Sequence, residues 1–305
     1  MEKTFSFKSM EGFNCIIKPK GDEYLYLVYD GCLDVLDYKV FNKVMEIRDD
    51  RIENVIAGYV YSSQAIVLSL FSSEILIIMN YFGNPSFHQI TTKNYAQKLI
   101  PIRYQWDTNN STSHLLVCMD YGSIGVLDVA SASFIKEFQL KNRVSIYDVI
   151  QLEVQALGNE FAFGTKSGVL QGFIDKRKEQ FIESQTEVFL TNYQVESLHL
   201  LKNQRFLAYV RENSKMTLEE IILVDRRTGS TKSLYSSIYK ELSSKKTQLI
   251  AVFNYDRFAY VLMRNMNSLD LIDIKRQKVI TVLKGYDTTD DWKFALHNEL
   301  DPETQ

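Results

Sequence analysis

A chain of 305 residues with 45% hydrophobic content can bury a large core, as one big domain or two ordinary ones. Its formal charge of -3 is close to neutral and gives no whole-chain argument for a nucleic-acid or membrane partner. Three widely spaced cysteines, Cys15, Cys32 and Cys118, argue against a disulfide framework or a zinc site and for a reducing compartment.

Taken in chain order, the apolar segments are short and separated by turn residues. Residues 13–17 predict a first strand, and Pro19-Lys20-Gly21-Asp22 supplies turn chemistry after it. Strands over 24–29 and 33–38 follow, joined by the hairpin signal Asp30-Gly31, and 43–47 makes a more polar fourth. Naming the four A to D, the plan recurs over 55–61, 65–70, 75–81 and 87–91, then over 98–104, 115–119, 124–129 and 134–140. The fourth unit covers 146–154, 161–165, 169–174 and 180–184; the fifth covers 195–201, 206–210, 220–224 and 231–234. The sixth covers 249–254, 258–263, 269–274 and 278–283.

A fixed punctuation marks these units. Strand C ends on an aliphatic residue followed by aspartate at Asp37, Asp128, Asp175, Asp225 and Asp273, with Asn80 in the second unit. Successive positions differ by 43, 48, 47, 50 and 48 residues, a period that accommodates four short strands. Strands B and C are continuous apolar runs, such as Leu115-Leu116-Val117-Cys118, which predicts burial on both faces between like sheets. An aligned β-sandwich would instead leave one face of each strand polar. The expected fold is therefore all-β: a β-propeller of four-stranded antiparallel blades. Six blades are favoured; a seventh would need about 20 residues from each end or sequence beyond Gln305, and 4–7 could add a closing strand. Pro101 suits an edge strand A beside the channel.

Two segments follow a helical period. Leu234, Ile238 and Leu242 predict a short helix between blades 5 and 6; Trp292, Leu296 and Leu300 predict another at the C-terminus, after Thr288 or Thr289 as cap. The expected organisation is a propeller over 1–287 and a helical tail over 288–305.

These features resemble a divergent WD-repeat β-propeller. The likeness lies in the turn–strand–aliphatic-aspartate phrase of residues 120–128 and of Ser268 to Asp273, and in the turn Pro19-Lys20-Gly21-Asp22; it covers roughly 13–284. No unit places tryptophan before the aspartate and no Gly-His pair opens a unit, so that family's histidine–aspartate hydrogen-bond network is incomplete here. The resemblance implies a platform for assembly.

The residues point away from catalysis. His88, His114, His199 and His297 are scattered, and no phosphate loop or nucleophile motif occurs, so neither cofactor nor metal is expected. Candidate acids for a hydrolase at the channel mouth, Asp30, Asp120 and Asp148, read as turn residues without an evident partner.

Charge is more informative. The C–D turns carry Lys39 and Lys43 in unit 1, Lys176, Arg177 and Lys178 in unit 4, Arg226 and Arg227 in unit 5, and Lys275 and Arg276 in unit 6. In a closed ring these units are neighbours, so the basic turns predict one arc facing an acidic protein, RNA or anionic lipid. The stripe Trp292–Leu296–Leu300 either packs on its own domain or anchors a partner. The N-terminal Met1-Glu2-Lys3-Thr4 opens no apolar signal segment, and apolar runs such as Ile75 to Met79 are far too short to span a bilayer. The sequence thus reads as a soluble scaffold or adaptor within a cytoplasmic or nuclear complex.

Overall fold

A computed structural model describes residues 14–17, 19, 23–37, 39–40, 42–102, 114–155, 158–175, 180–183, 190–201, 205–212, 218–238, 248–255, 258–265, 268–273, 276 and 278–284. Six four-stranded antiparallel sheets account for nearly all of them, each a meander in chain order. Blade 1 contains β1 (Cys15–Ile17), β2 (Tyr24–Tyr29), β3 (Cys32–Asp37) and β4 (Asn42–Arg48). Blade 2 contains β5 (Val55–Ser62), β6 (Ala65–Leu70), β7 (Glu74–Met79) and β8 (Ser86–Thr91). Blade 3 contains β9 (Ala96–Ile102), β10 (His114–Met119), β11 (Ser123–Asp128) and β12 (Ser133–Gln139). Blade 4 contains β13 (Ile146–Gln155), β14 (Gly158–Thr165), β15 (Gly168–Asp175) and β16 (Gln180–Glu183). Blade 5 contains β17 (Tyr193–Leu201), β18 (Arg205–Glu212), β19 (Leu218–Asp225) and β20 (Ser230–Ile238). Blade 6 contains β21 (Gln248–Tyr255), β22 (Phe258–Asn265), β23 (Ser268–Asp273) and β24 (Lys278–Lys284).

The apolar runs are buried between sheets, as their composition requires. Every residue of β6 and β10 is buried, whereas the outer strand β8 is largely exposed. Separate inter-blade cores follow: Val28, Leu33, Leu68 and Leu76 pack between blades 1 and 2, and Val67, Ile77, Leu115 and Leu127 between blades 2 and 3. Each such aliphatic side chain contributes roughly 1.5–3 kcal/mol by leaving water. First strands of successive blades lie against one another, β1 on β5, β5 on β9, β9 on β13 and β13 on β17.

Bulges recur in the first strands. The pairing of strand A with strand B slips by one residue at Ile56, Gln97, Tyr147, Glu196 and Ile250, in blades 2 to 6. In blades 2 to 5 the residue just before each bulge (Val55, Ala96, Ile146, Val195) is buried in an inter-blade core, while the bulged residue is half-buried. A bulge twists the strand and re-aims one side chain; here it takes the same place in blade after blade.

The meander places B–C turns and inter-blade linkers on one face, called upper here, and A–B and C–D turns on the lower face. Backbone bonds clamp the upper turns to their linkers. Gly31 N–H donates to Ile52, Phe71 N–H to Asn54 and Asp120 N–H to Tyr95; Asp49, Thr92 and Leu140 donate back to Gly31, Ser73 and Gly122. Asp30 adds side-chain bonds from Asn14 and from the Asn54 N–H. On the lower face the repeated aspartates cap the turn after strand C: Asp37 accepts from Lys39 N–H, Asp128 from Ala130 N–H and Ser131 Oγ, Asp225 from Thr228 N–H and Asp273 from Arg276 N–H.

One helix expectation is corrected. Residues 234 and 238 belong to β20, which pairs with β19 as far as Leu218↔Ile238. A slip between Ile221 and Ile222 leaves Leu234 as the bulged residue of β20, so strand alternation is broken there and an i, i+4 spacing arises by accident. The segment Ser230-Thr-Lys-Ser-Leu-Tyr-Ser-Ser-Ile is also rich in β-branched, aromatic and hydroxyl residues, which disfavour helix. Leu242, the C-terminal segment 288–305 and the N-terminal residues 4–7 lie outside the described residues.

Candidate interaction site

The lower face displays the predicted basic residues less freely than their sequence positions imply. Lys39 is exposed and pairs with Glu23 across its own blade. Lys43 lies 3.1 Å from Asp34 and also bonds Glu46. Arg226 reaches back to Glu160 of blade 4 with its side chain only 14% exposed. Arg276 sits 3.8 Å from Asp273, whose carboxylate also caps its backbone. The exposed pair Lys39–Glu23 contributes only ~0–1 kcal/mol, but each carboxylate cancels part of the local field. Arg227 is exposed and enters no ion pair among the described residues. Lys176, Arg177, Lys178, Lys275, Trp292, Leu296 and Leu300 lie outside the described residues.

Beside these charges is an aromatic junction between blades 1 and 2. The Tyr26 and Tyr81 hydroxyls, both buried, are 3.0 Å apart, and Tyr81 also donates to the Ser62 carbonyl. Phe82 covers them, with ring centres 4.7 Å from Tyr81 and 5.3 Å from Tyr24.

Cys32, Asp34 and Glu46 place one potential ligand atom each within 4.8 Å of one another. Lys43 bonds both carboxylates and Arg48 bonds the second, so their charge is already balanced. Burial and the neighbouring acids push the Cys32 thiol up to about 11, and burial alone moves Cys15 to about 11. Cys118, fully buried, is raised further by burial and then by Asp148. At pH 8 about one in a thousand of the Cys15 and Cys32 thiols is therefore ionised. An aromatic disulfide reagent is expected to react slowly with the native protein and to titrate all three thiols once guanidinium unfolds it. Rapid labelling of any one cysteine in the native state would contradict these environments.

Asp148 corrects another expectation. It lies on β13, not in a turn, and links three first strands. Its Oδ1 accepts from Val149 N–H at 2.9 Å and pairs with Lys98 Nζ of β9 at 2.8 Å, while Oδ2 accepts from Leu198 N–H of β17 at 2.8 Å. Spacing alone conceals this role, because the partners come from two other blades.

The upper face carries an arrangement that the sequence did not single out. In the turn Asp120-Tyr121-Gly122, Tyr121 has φ 56° and Gly122 φ 72°. Tyrosine tolerates this region poorly; the turn is held by Gln139 Nε2, which donates to the Tyr121 carbonyl at 2.7 Å, and by the Leu140 clamp. A Cβ at position 122 would stand 3.0 Å from Leu140 Cβ and the Val144 carbonyl oxygen, a tight fit that adds to the preference for glycine set by φ. Tyr121 is left 60% exposed, and Phe71 of the neighbouring turn 65% exposed. Phe71 stacks on Tyr95 with ring centres 5.2 Å apart. The pKa of Tyr95 is raised, by burial first and then by the neighbouring Asp120 carboxylate. That of Tyr147 is raised by burial, then Glu196, then Asp120. Tyr95, Tyr147 and Asp120 therefore adjoin one another at the bulged ends of the first strands.

With this geometry in place, three solved structures align over most of the chain. The RRP9 WD40 repeats match at TM-score 0.62 and 10% identity, covering 91% of this chain and 81% of that one. Saccharomyces cerevisiae Sqt1 matches at 0.60 and 10%, covering 87% and 71%. The Cps50 (Swd1) β-propeller domain of Myceliophteria thermophila matches at 0.57 and 9%, covering 90% and 88%. The chain has the WD40 β-propeller fold. No family model matches the sequence, and no curated protein matches it either. No helix among the described residues is long and apolar enough to cross a membrane.

Proposed function

We infer that this WD40 propeller is a non-enzymatic interaction scaffold, a subunit or adaptor of a larger assembly in the cytoplasm or nucleus. The observation that carries this reading is the upper face. Large aromatic side chains, Phe71 and Tyr121, stand exposed on turns whose backbones are tied to the linkers on either side. Rigid, exposed aromatic surface costs little ordering on binding, which favours recognition of another protein. The fold supports the same reading by analogy, since propellers present several turns on each face.

The alternative is contact with an acidic protein surface, RNA or anionic lipid through the basic C–D turns, and exposed Arg227 supports it. One experiment separates the two. Size-exclusion of native extract is run at low and at raised salt. The scaffold reading expects elution well above 35.4 kDa at both. Loss of the large species only at raised salt favours the basic arc. Elution as a free monomer under both conditions overturns both readings.

A further inference from the structure

We propose that the upper mouth where blades 2, 3 and 4 meet is a receptor for one cationic side chain, arginine or lysine, presented by a protein partner. The proposal rests on the scaffold reading and names the chemistry its upper face would select.

The first observation is an uncompensated buried acid. Asp120 is 7% exposed, and its Oδ1 is buried with no hydrogen-bond partner. No ion pair reaches it among the described residues. Other buried aspartates here are balanced, Asp148 by Lys98 and two amides and Asp273 by Arg276. A carboxylate withdrawn from water without a counter-charge is costly, and a cation brought close to it removes that cost.

The second observation is what surrounds it. Asp120 N–H donates to the Tyr95 carbonyl, Phe71 stacks on the Tyr95 ring, and Tyr121 stands exposed at the next position of the Asp120 turn. Aromatic faces carry negative potential and attract ammonium and guanidinium groups within ~6 Å of the ring centre. Among the described residues such a contact is already present, with Arg51 Cζ 4.3 Å from the Phe87 ring centre. Of the nearby basic side chains, Lys98 pairs with Asp148, Lys93 with Glu137 and Arg211 with Glu196, while exposed Lys141 and Arg143 of the adjoining linker form no ion pair with Asp120 among the described residues. A cation seated on these rings thus feels the Asp120 charge from above without having to enter the buried turn.

The test uses the full chain and fluorescein-labelled hexa-arginine, hexa-lysine and hexa-glutamate peptides, with binding read by fluorescence anisotropy. The wild-type chain is expected to bind hexa-arginine or hexa-lysine and not hexa-glutamate; the tighter cationic peptide identifies guanidinium or ammonium. Asp120→Asn, Tyr121→Ala and Phe71→Ala should each weaken binding by about three- to tenfold. Glu23→Gln, on the opposite face, should bind as wild type. Asp120→Asn is nearly isosteric and the two aromatic positions are exposed, so the three variants together keep the result independent of any one folding defect. Wild-type binding by both Asp120→Asn and Tyr121→Ala, an equal loss in Glu23→Gln, or no binding of either cationic peptide would overturn the site. If these variants bind peptide normally but the chain still elutes from extract in a large species, only this site fails. If wild type elutes as a monomer yet binds the cationic peptides through these residues, only the scaffold reading fails.

Discussion

Asp148→Ala is expected to lower unfolding stability by about 3 kcal/mol, because it leaves the half-buried Lys98 ammonium and the Leu198 amide without their partner. The effect should appear as a lower guanidinium midpoint with an unchanged slope. Lys98→Met should cost less, since Asp148 then keeps its Val149 and Leu198 amide bonds. The asymmetry is informative: the aspartate is the hub between blades 3, 4 and 5, and the lysine is one spoke. A loss below about 1 kcal/mol for Asp148→Ala, in the range of an exposed ion pair, would show that these strands hold together without it.

The second large effect is steric. Alanine at Gly158 would put its Cβ 2.0 Å from the Ile174 carbonyl oxygen, part of the paired strand β15. Backbone cannot move aside without breaking the ladder, so Gly158→Ala should cost about 3 kcal/mol. Gly125 and Gly172 offer a contrast. Each lies on strand C beneath a phenylalanine of strand D, and a Cβ would stand 2.4 Å from Phe134 Cε1 or 2.2 Å from Phe181 Cζ. Those obstacles are side-chain rings at the outer sheet edge, which can turn, so alanine there should cost about 1 kcal/mol. Equal costs at all three positions, read from denaturant midpoints, would contradict the distinction between backbone and side-chain crowding.

Why the strands were so legible follows from burial. Runs such as 65–70 and 115–119 are apolar at consecutive positions because sheets cover them on both sides, and β6 and β10 are buried throughout. The aspartate ending strand C was legible as punctuation, and its turn-capping bonds explain why the acid recurs where tryptophan does not. Bulges were not legible. At Leu234 the extra residue imitates a helical spacing, because nothing in a local pattern separates a slipped strand from a helix turn.

The site was harder to read for a related reason. Its residues come from three separate connections: Phe71 from a B–C turn, Tyr95 from a linker, and Asp120 with Tyr121 from the next B–C turn. Only the register of the blades brings them together. The described basic turns present the opposite difficulty. Their positions near C–D turns were evident, and Glu46 lies three residues from Lys43 on β4, but Glu23 just before β2, Asp34 on β3 and Glu160 on blade 4 answer their charge from elsewhere in the chain. Charge counted along a chain overstates charge displayed by a fold.

The most direct test of the scaffold account is native mass spectrometry of the tagged chain purified gently from its own cells. The account predicts a discrete species heavier than the 35.4 kDa chain, containing at least one other protein in fixed ratio. A single peak at the mass of the chain alone, from protein that remains folded, would contradict it.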